Sequence, residues 1–87
     1  MPVVTLRSPL KDLAGGNRRL EIEGATVGEV LRTLESRWPK TTGWILDEHG
    51  AVRRHVNVFC NGEQVDAAAT VDAADQLQVL PSITGGA

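Results

Sequence analysis

The chain has 87 residues, of which 41% are hydrophobic and 23% charged, and it carries a net charge of −2 at pH 7. A chain of this length buries only about 60–65% of its unfolded surface, which excludes two independent cores and predicts one small globular domain. The acidic balance argues against nucleic-acid binding, and the single cysteine, Cys60, excludes both an internal disulfide framework and a multi-cysteine metal site.

Two short strands are expected near the N-terminus. Residues 3–6 are mostly β-branched and lie between prolines, which is typical of a short strand. Residues 14–17 read AGGN, a turn sequence. Residues 18–23 alternate, so that Leu20 and Ile22 share one face and the charged side chains share the other. Together these patterns predict a β-hairpin.

One amphipathic helix is expected from Thr26 to about Trp38. Thr26 can cap the free amides of the first turn, and Glu29, three residues later, completes a capping-box pattern. Pro39 cannot continue the helix and ends it. Glu35 and its polar neighbours are expected to face water. The apolar stripe consists of Val27, Val30, Leu31, Leu34 and Trp38.

The segment after the helix is less regular. Residues 40–46 allow a short helical turn, and residues 47–50 read DEHG, which predicts a tight turn. The apolar side chains of this region are expected to cover the core. Those directed inward are Ile45 and Leu46, and those that cap the core at the helix end are Trp38 and Trp44.

The last third of the chain is expected to form a hairpin and a final strand. Residues 56–60 alternate, and the Asn-Gly pair at 61–62 is the strongest short hairpin signal. Residues 63–65 supply the return arm. Residues 77–80 form the last strand, which Pro81 ends.

The order of strand, strand, helix, strand, short arm and strand favours an α+β fold. A single helix with one apolar stripe must cover one face of a mixed sheet. If the first and last strands pair side by side, the arrangement is the β-grasp, or ubiquitin-like, roll. We expect this domain to span residues 1–81, and residues 82–87 to form a flexible C-terminal tail.

The C-terminal segment carries a recognisable signal. Residues 77–86 read LQVLPSITGG, which is an apolar strand, a proline, alternating small and aliphatic residues and a Gly-Gly pair. This pattern resembles the C-terminus of the ubiquitin-like sulfur carriers of the MoaD/ThiS family, which include the molybdopterin synthase small subunit and the thiamine-pathway carrier. Residues 46–63 resemble in particular the carrier of the actinobacterial cysteine pathway.

The resemblance implies a specific chemistry. It assigns the reacting role to Gly86, with Ile83, Thr84 and Gly85 as the tail that enters a partner. A partner resembling ubiquitin-activating enzymes uses ATP to adenylate the glycine carboxylate, and sulfur then replaces one oxygen to give a thiocarboxylate. The chain itself would bind no cofactor. Its implied partners are this adenylyltransferase/sulfurtransferase and a synthase that accepts the sulfur.

One residue departs from the family pattern. Gly86 is followed by Ala87, so its carboxyl group is held in a peptide bond. Some related carriers are encoded with extra residues that a metalloprotease removes. We therefore expect a C-terminal processing metalloprotease to remove Ala87 before activation. An alanine added for expression is the alternative, although a single alanine serves no obvious purpose.

Alternation places two hydrophobic side chains on the side of the sheet opposite the core. If Val58 and Val79 point inward, Phe59 and Leu80 point outward. Outward apolar side chains beside a reactive tail predict a patch that docks a partner.

Three further residues have competing interpretations. Arg53 and Arg54 are predicted to dock an acidic partner, with a solvated loop face as the alternative. Cys60 could be imagined as a sulfur-relay thiol. A buried small hydrophobe is the preferred interpretation, because cysteine is among the most buried residue types.

Three functional hypotheses follow. The leading one is a sulfur carrier in a biosynthetic pathway, for cysteine or a specialised metabolite. The others are a protein modifier joined to target lysines through Gly86, and the small subunit of a molybdopterin-synthase-like enzyme. A conventional enzyme is disfavoured, because the sequence shows no acid–base pair or cofactor motif. The chain also shows no signal peptide, membrane segment or metal-site spacing around its two histidines, so we expect a cytoplasmic protein without membrane, nucleic-acid or metal partners.

Overall fold

A computed structural model describes residues 1–8 and 10–81, with the backbone alone at Pro81. These residues form one five-stranded mixed sheet with a main helix on one face. The tail predicted at 82–87 lies outside the described residues. In chain order the elements are β1 (Val3–Leu6), α1 (Leu10–Leu13), β2 (Arg19–Glu21), α2 (Val27–Arg37), a 3-10 helix (Pro39–Thr41), β3 (Val56–Cys60), β4 (Glu63–Val65) and β5 (Gln76–Pro81).

The strand order is β2-β1-β5-β3-β4, and this order confirms the predicted β-grasp fold. The first and last strands, β1 and β5, pair in parallel at the centre of the sheet. Every other pairing is antiparallel. The side chains of Val4 and Val79, on the two central strands, are fully buried under α2.

The main helix begins and ends where its sequence predicts. The Oγ1 of Thr26 accepts a hydrogen bond from the amide of Glu29 at 3.2 Å. The Glu29 carboxylate accepts in turn from the amide of Ala25 at 3.1 Å, which ties the residue before the cap to the first turn of the helix. At the other end Trp38 caps α2, and Pro39 starts the 3-10 helix.

The second hairpin is also confirmed. Asn61 has φ 51° and Gly62 has φ 91°, the left-handed conformation that a two-residue type I′ turn requires. The side chain of Asn61 joins the turn to the start of β5 by two hydrogen bonds. Its Nδ2 donates to Asp75 Oδ1 at 2.9 Å, and its Oδ1 accepts from the amide of Gln76 at 3.0 Å.

The connection between β1 and β2 differs from its prediction. The sequence indicated only a turn at 14–17, whereas Leu10–Leu13 form one additional turn of helix that buries Leu10. Four residues are too few to show a helical period. Strand β2 is shorter than the predicted 18–23, although Ile22 is buried and Leu20 half-buried on the same side, as expected.

Among the described residues, the buried hydrophobic side chains that form the core run in sequence from Val4 to Val79. A chain truncated after Pro81 is therefore expected to unfold cooperatively with a Tm within a few degrees of the full chain. Thermal denaturation followed by circular dichroism checks this. A loss of cooperativity in the truncated chain would show that residues 82–87 pack on the domain.

Within residues 1–8 and 10–81, the structure contains no helix with the length and apolar character needed to cross a membrane.

Candidate functional site

The tail continues from the centre of the sheet. Strand β5 lies between β1 and β3, and its last residue, Pro81, pairs with Val56 at the start of β3. Anything that receives the chain beyond Pro81 therefore meets the ends of both neighbouring strands. The predicted site residues of the tail lie outside the described residues and stay predictions. They are Ile83, Thr84, Gly85, Gly86 and Ala87.

The two predicted docking side chains lie on the face of the sheet away from α2. The register between β3 and β5 is continuous from Val56↔Pro81 to Cys60↔Leu77, with no bulge. Val58 is 1% exposed and Val79 0%, so their neighbours Phe59 and Leu80 point to the opposite face. Phe59 and Leu80 are half-buried there and lie outside the core cluster.

The surface around this pair is uncharged on β1, β5, β3 and β4, whereas Arg19 and Glu21 share its side of the sheet on the edge strand β2. We call it the outer face. Gln64 lies opposite Phe59 and donates from Nε2 to the Oδ1 of Asn57 at 3.0 Å. Such a surface loses less hydration free energy on binding than a charged one, which suits the core of an interface. The residues of the outer face are Val3, Thr5, Asn57, Phe59, Gln64, Gln76, Gln78 and Leu80.

Arg53 and Arg54 lie just before β3, on the side of the sheet where the tail continues. Both are exposed. The backbone amide of Arg53 donates to Ile45 at 2.9 Å and its Nε donates to the carbonyl of Leu46 at 3.3 Å, so its stem is held on the loop. The structure thus places two cations at the end of the sheet where β5 finishes.

Asp47 stabilises the turn next to this arginine pair. Hydrogen bonds from the amides of Ala51 and His49 hold the pKa of the Asp47 carboxyl below its usual value, and the positive charge of Arg53 acts in the same direction. This carboxylate shapes the turn predicted at 47–50.

Cys60 packs against the core but is half-buried rather than fully buried. Burial raises the pKa of its thiol above the usual value, and the carboxylate of Asp75 adds to this effect. A raised pKa leaves less thiolate at neutral pH, whereas a sulfur-relay thiol needs a lowered pKa. The environment of Cys60 therefore favours the structural interpretation.

Alkylation of Cys60 by iodoacetamide is expected to be slower at pH 8 than alkylation of free cysteine. Because the folded-state pKa is raised, the rate should rise with pH only above the usual thiol range. The rate measured against pH, with urea-unfolded protein as the reference, checks this. A thiol that reacts fully at pH 7 in the folded protein would contradict it.

The two tryptophans behave differently. Trp38 packs over Gly15, where a methyl group in place of the glycine hydrogen would lie 2.7 Å from the indole ring. The prediction that Trp38 caps the core is thus confirmed. Trp44 is 46% exposed, so the same prediction for it is wrong.

Glu35 explains why Trp44 is outside. Its carboxylate accepts hydrogen bonds from the amides of Ile45 at 3.4 Å and Leu46 at 3.1 Å, which fixes these two residues against the core. Both side chains are buried, as predicted, and Trp44 is displaced to the surface. The prediction that Glu35 faces water is wrong, because its spacing on the helix gives no sign of a contact ten residues away.

Among residues 1–8 and 10–81, no group of three or more His, Cys, Asp or Glu side chains is placed to hold a metal ion. Two surface depressions of about 680 and 610 Å³ are open to solvent and border the N-terminal half of α2. None of the predicted docking residues lines them. The outer face and the tail therefore carry the candidate site.

The sequence matches the family model described as ThiS family over residues 4–86. The chain belongs to the ThiS family. The matched region includes the Gly-Gly pair and ends at Gly86, so Ala87 lies outside it.

Curated relatives and solved structures agree with this assignment. Small archaeal modifier protein 3 of Haloferax volcanii is 41% identical over 74% of this chain and 73% of its own length. Sulfur carrier protein CysO of Mycobacterium tuberculosis is 27% identical over 95% of this chain and 96% of its own length. A chain in the crystal structure of the Amycolatopsis orientalis BexX/CysO complex superposes with a TM-score of 0.88, at 31% identity, over 99% of this chain and 100% of that one.

Proposed function

We propose that this protein is a sulfur carrier whose Gly86 carboxylate is adenylated by an activating enzyme and converted to a thiocarboxylate. The observation that carries the proposal is the family match over residues 4–86, which extends through the β-grasp domain to the Gly-Gly pair. A relative similar over nearly its whole length is named as the sulfur carrier protein CysO. The likeness to CysO favours donation of sulfur in a cysteine or specialised-metabolite pathway.

The chemistry requires little from the carrier beyond an accessible carboxylate. An oxygen of the Gly86 carboxylate attacks the α-phosphorus of ATP and releases pyrophosphate, which gives an acyl adenylate. A sulfur nucleophile supplied by the partner then displaces AMP. Glycines without side chains suit an enclosed active site, and residues 82–86 fully extended span at most about 17 Å. The domain can therefore stay outside while the tail enters.

In this proposal the outer face contacts the activating enzyme. Phe59 and Leu80 supply the apolar centre of the interface, and Arg53 and Arg54 supply charge at its border. Apolar anchors surrounded by polar groups are the usual arrangement of energetically important interface residues. The carrier is then a co-substrate on which partner enzymes act.

Incubation of a chain ending at Gly86 with the cognate activating enzyme, ATP and a sulfide source tests the proposal. Intact-mass spectrometry should show one oxygen exchanged for sulfur, and the reaction without ATP is the control. No mass change with an enzyme that demonstrably binds the chain would refute the proposal.

A second candidate function is protein modification through Gly86. It is favoured by the 41% identity to a protein named small archaeal modifier protein 3. Isopeptide adducts of the chain on lysines of other proteins in cell extracts would support it. A third candidate, the small subunit of a molybdopterin-synthase-like enzyme, would require a stable complex with a larger subunit that survives gel filtration.

A further inference from the structure

The sheet has two chemically different ends. The strand registers place Leu6 and Val56 beside the last residues of β5, and Val3 and Cys60 beside its first residues. We call the first the tail end, because the chain continues from it beyond Pro81. We call the second the far end.

Seven of the nine Lys and Arg residues surround the tail end. Arg7 follows β1 directly, and the carbonyl of Arg18 accepts the amide of Leu6 at 2.8 Å. Arg53 and Arg54 precede β3. Helix α1 follows β1 and packs against the 3-10 helix, which brings the C-terminal end of α2 to the same place. We call this group the basic collar: Arg7, Lys11, Arg18, Arg37, Lys40, Arg53 and Arg54. All are exposed except Lys11, which is half-buried.

The far end carries the opposite charge. Glu21 pairs with Val3, Glu63 pairs with Cys60, and Asp75 immediately precedes β5. We call the six carboxylates of this end the acidic pole: Glu21, Glu23, Glu29, Glu63, Asp72 and Asp75. Of the two arginines outside the collar, Arg19 pairs with Thr5 on the neighbouring strand, and Arg32 lines a surface depression together with Glu23 and Glu29 of the acidic pole.

The collar charges are available for an external partner. Across residues 1–8 and 10–81, no Lys or Arg nitrogen lies within 4.0 Å of a carboxylate oxygen, and the one ion pair at that limit joins His49 and Glu48. Glu35, which lies near the collar, uses its carboxylate for the amides of the 45–46 loop. Asp12 on α1 and Asp47, whose carboxylate lies within the electrostatic reach of Arg53, are acidic residues at the collar.

The net charge of −2 is the sum over the basic collar and the acidic pole, so it does not describe the charge that a partner meets close to either end. The two ends are separated by about 17 Å, the length of β5 at roughly 3.3 Å per residue. The Debye length at physiological ionic strength is about 8 Å. A partner that approaches the tail end therefore responds mainly to the collar, and the acidic pole is largely screened from it.

We propose that the basic collar docks on an acidic rim around the cleft that receives the tail in the activating enzyme. This inference rests on the proposed function and names the surface chemistry of its partner. A protein fits better than a nucleic acid, because Asp12 interrupts the collar and the acidic pole repels a long polyanion. Any protein that accepts residues beyond Pro81 must also cover the collar.

The collar acts mainly on the rate of encounter. Complementary charges steer association and raise the association rate constant by about tenfold to a thousandfold at low salt, with a smaller effect on dissociation. The double variant R7E/R54E reverses one charge on each side of β5. The matched control, R19E/R32E, reverses the same number of charges outside the collar.

Stopped-flow association with the activating enzyme, measured from low to physiological ionic strength, tests the inference. R7E/R54E should lower the association rate constant at low salt by about tenfold or more and flatten its salt dependence. R19E/R32E should change the rate constant less than threefold. Equal decreases of the association rate constant in both double variants, or a wild-type rate constant independent of salt, would overturn the inference that the basic collar docks on the enzyme.

Two further measurements separate this inference from its alternatives. R7E/R54E ending at Gly86 should need a higher carrier concentration than the wild-type chain for half-maximal thiocarboxylation, because its encounter with the enzyme is slower. Absence of thiocarboxylate from the wild-type chain would refute the proposed function. The association rates would still test whether the basic collar docks on the activating enzyme. Tight binding of a ten-nucleotide single-stranded DNA at physiological salt, lost in R7E/R54E while enzyme association is unchanged, would assign the collar to nucleic acid and overturn the proposal.

Discussion

A chain ending at Gly86 is expected to be thiocarboxylated at least about a hundredfold faster than the same chain with Ala87. Adenylation needs a free carboxylate, and in the longer chain the carboxyl group of Gly86 is an amide. The carboxylate of Ala87 is displaced by about 3.5 Å, the length of one extended residue. A misplacement of about 1 Å can already cost a hundredfold in rate.

Intact-mass spectrometry of both forms over a time course checks this difference. Treatment of the longer form with a peptidase that cuts between Gly86 and Ala87 should restore the rate of the shorter one. A chain extended by glycine instead of alanine is a useful control, because it separates the effect of length from that of the methyl group. Thiocarboxylate formed directly on Ala87 at a comparable rate would remove the need for processing.

The elements that the sequence predicts well are those specified by adjacent residues. Helix α2 has its cap, its stripe and its stop within fourteen positions, from Thr26 to Pro39. The second hairpin depends on two residues, Asn61 and Gly62, whose left-handed backbone few other pairs adopt at low cost. Such local signals remain valid whatever the rest of the fold does.

The predictions that are wrong concern residues whose burial depends on a contact distant in sequence and not on the neighbouring residues. Three apolar residues follow one another at 44–46, and only two of them can enter the core. The carboxylate of Glu35 selects Ile45 and Leu46 by accepting their amides, which leaves Trp44 outside. No periodicity in the sequence expresses that selection.

The candidate site also combines features that adjacent residues specify with features that depend on contacts distant in sequence. The outward position of Phe59 and Leu80 follows from alternation alone, because the pairing of β3 and β5 contains no bulge. The basic collar could not be seen in this way. Its members are scattered from Arg7 to Arg54, and the pairing of β5 with both β1 and β3 gathers them around one end of the sheet.

Substitution of Phe59 or Leu80 by Asp is expected to weaken binding to the activating enzyme by about tenfold to a hundredfold and to leave the domain folded. On the outer face the new carboxylate stays hydrated in the free protein, so the stability loss should be about 1 kcal/mol or less. In the complex the carboxylate would be desolvated without a partner, and this cost appears in the affinity.

Val58 and Val79 provide matched controls, because each is the neighbour of a tested residue on the same strand and faces the core. A carboxylate at either position would be buried and unpaired, at a cost of more than about 4 kcal/mol against a total stability of roughly 5–15 kcal/mol. The Val58→Asp and Val79→Asp variants should therefore lose a large share of their free energy of unfolding, which urea denaturation would measure as a lower midpoint. Unfolding caused by Phe59→Asp or Leu80→Asp would place those side chains in the core. A folded Phe59→Asp variant with unchanged affinity would remove Phe59 from the interface.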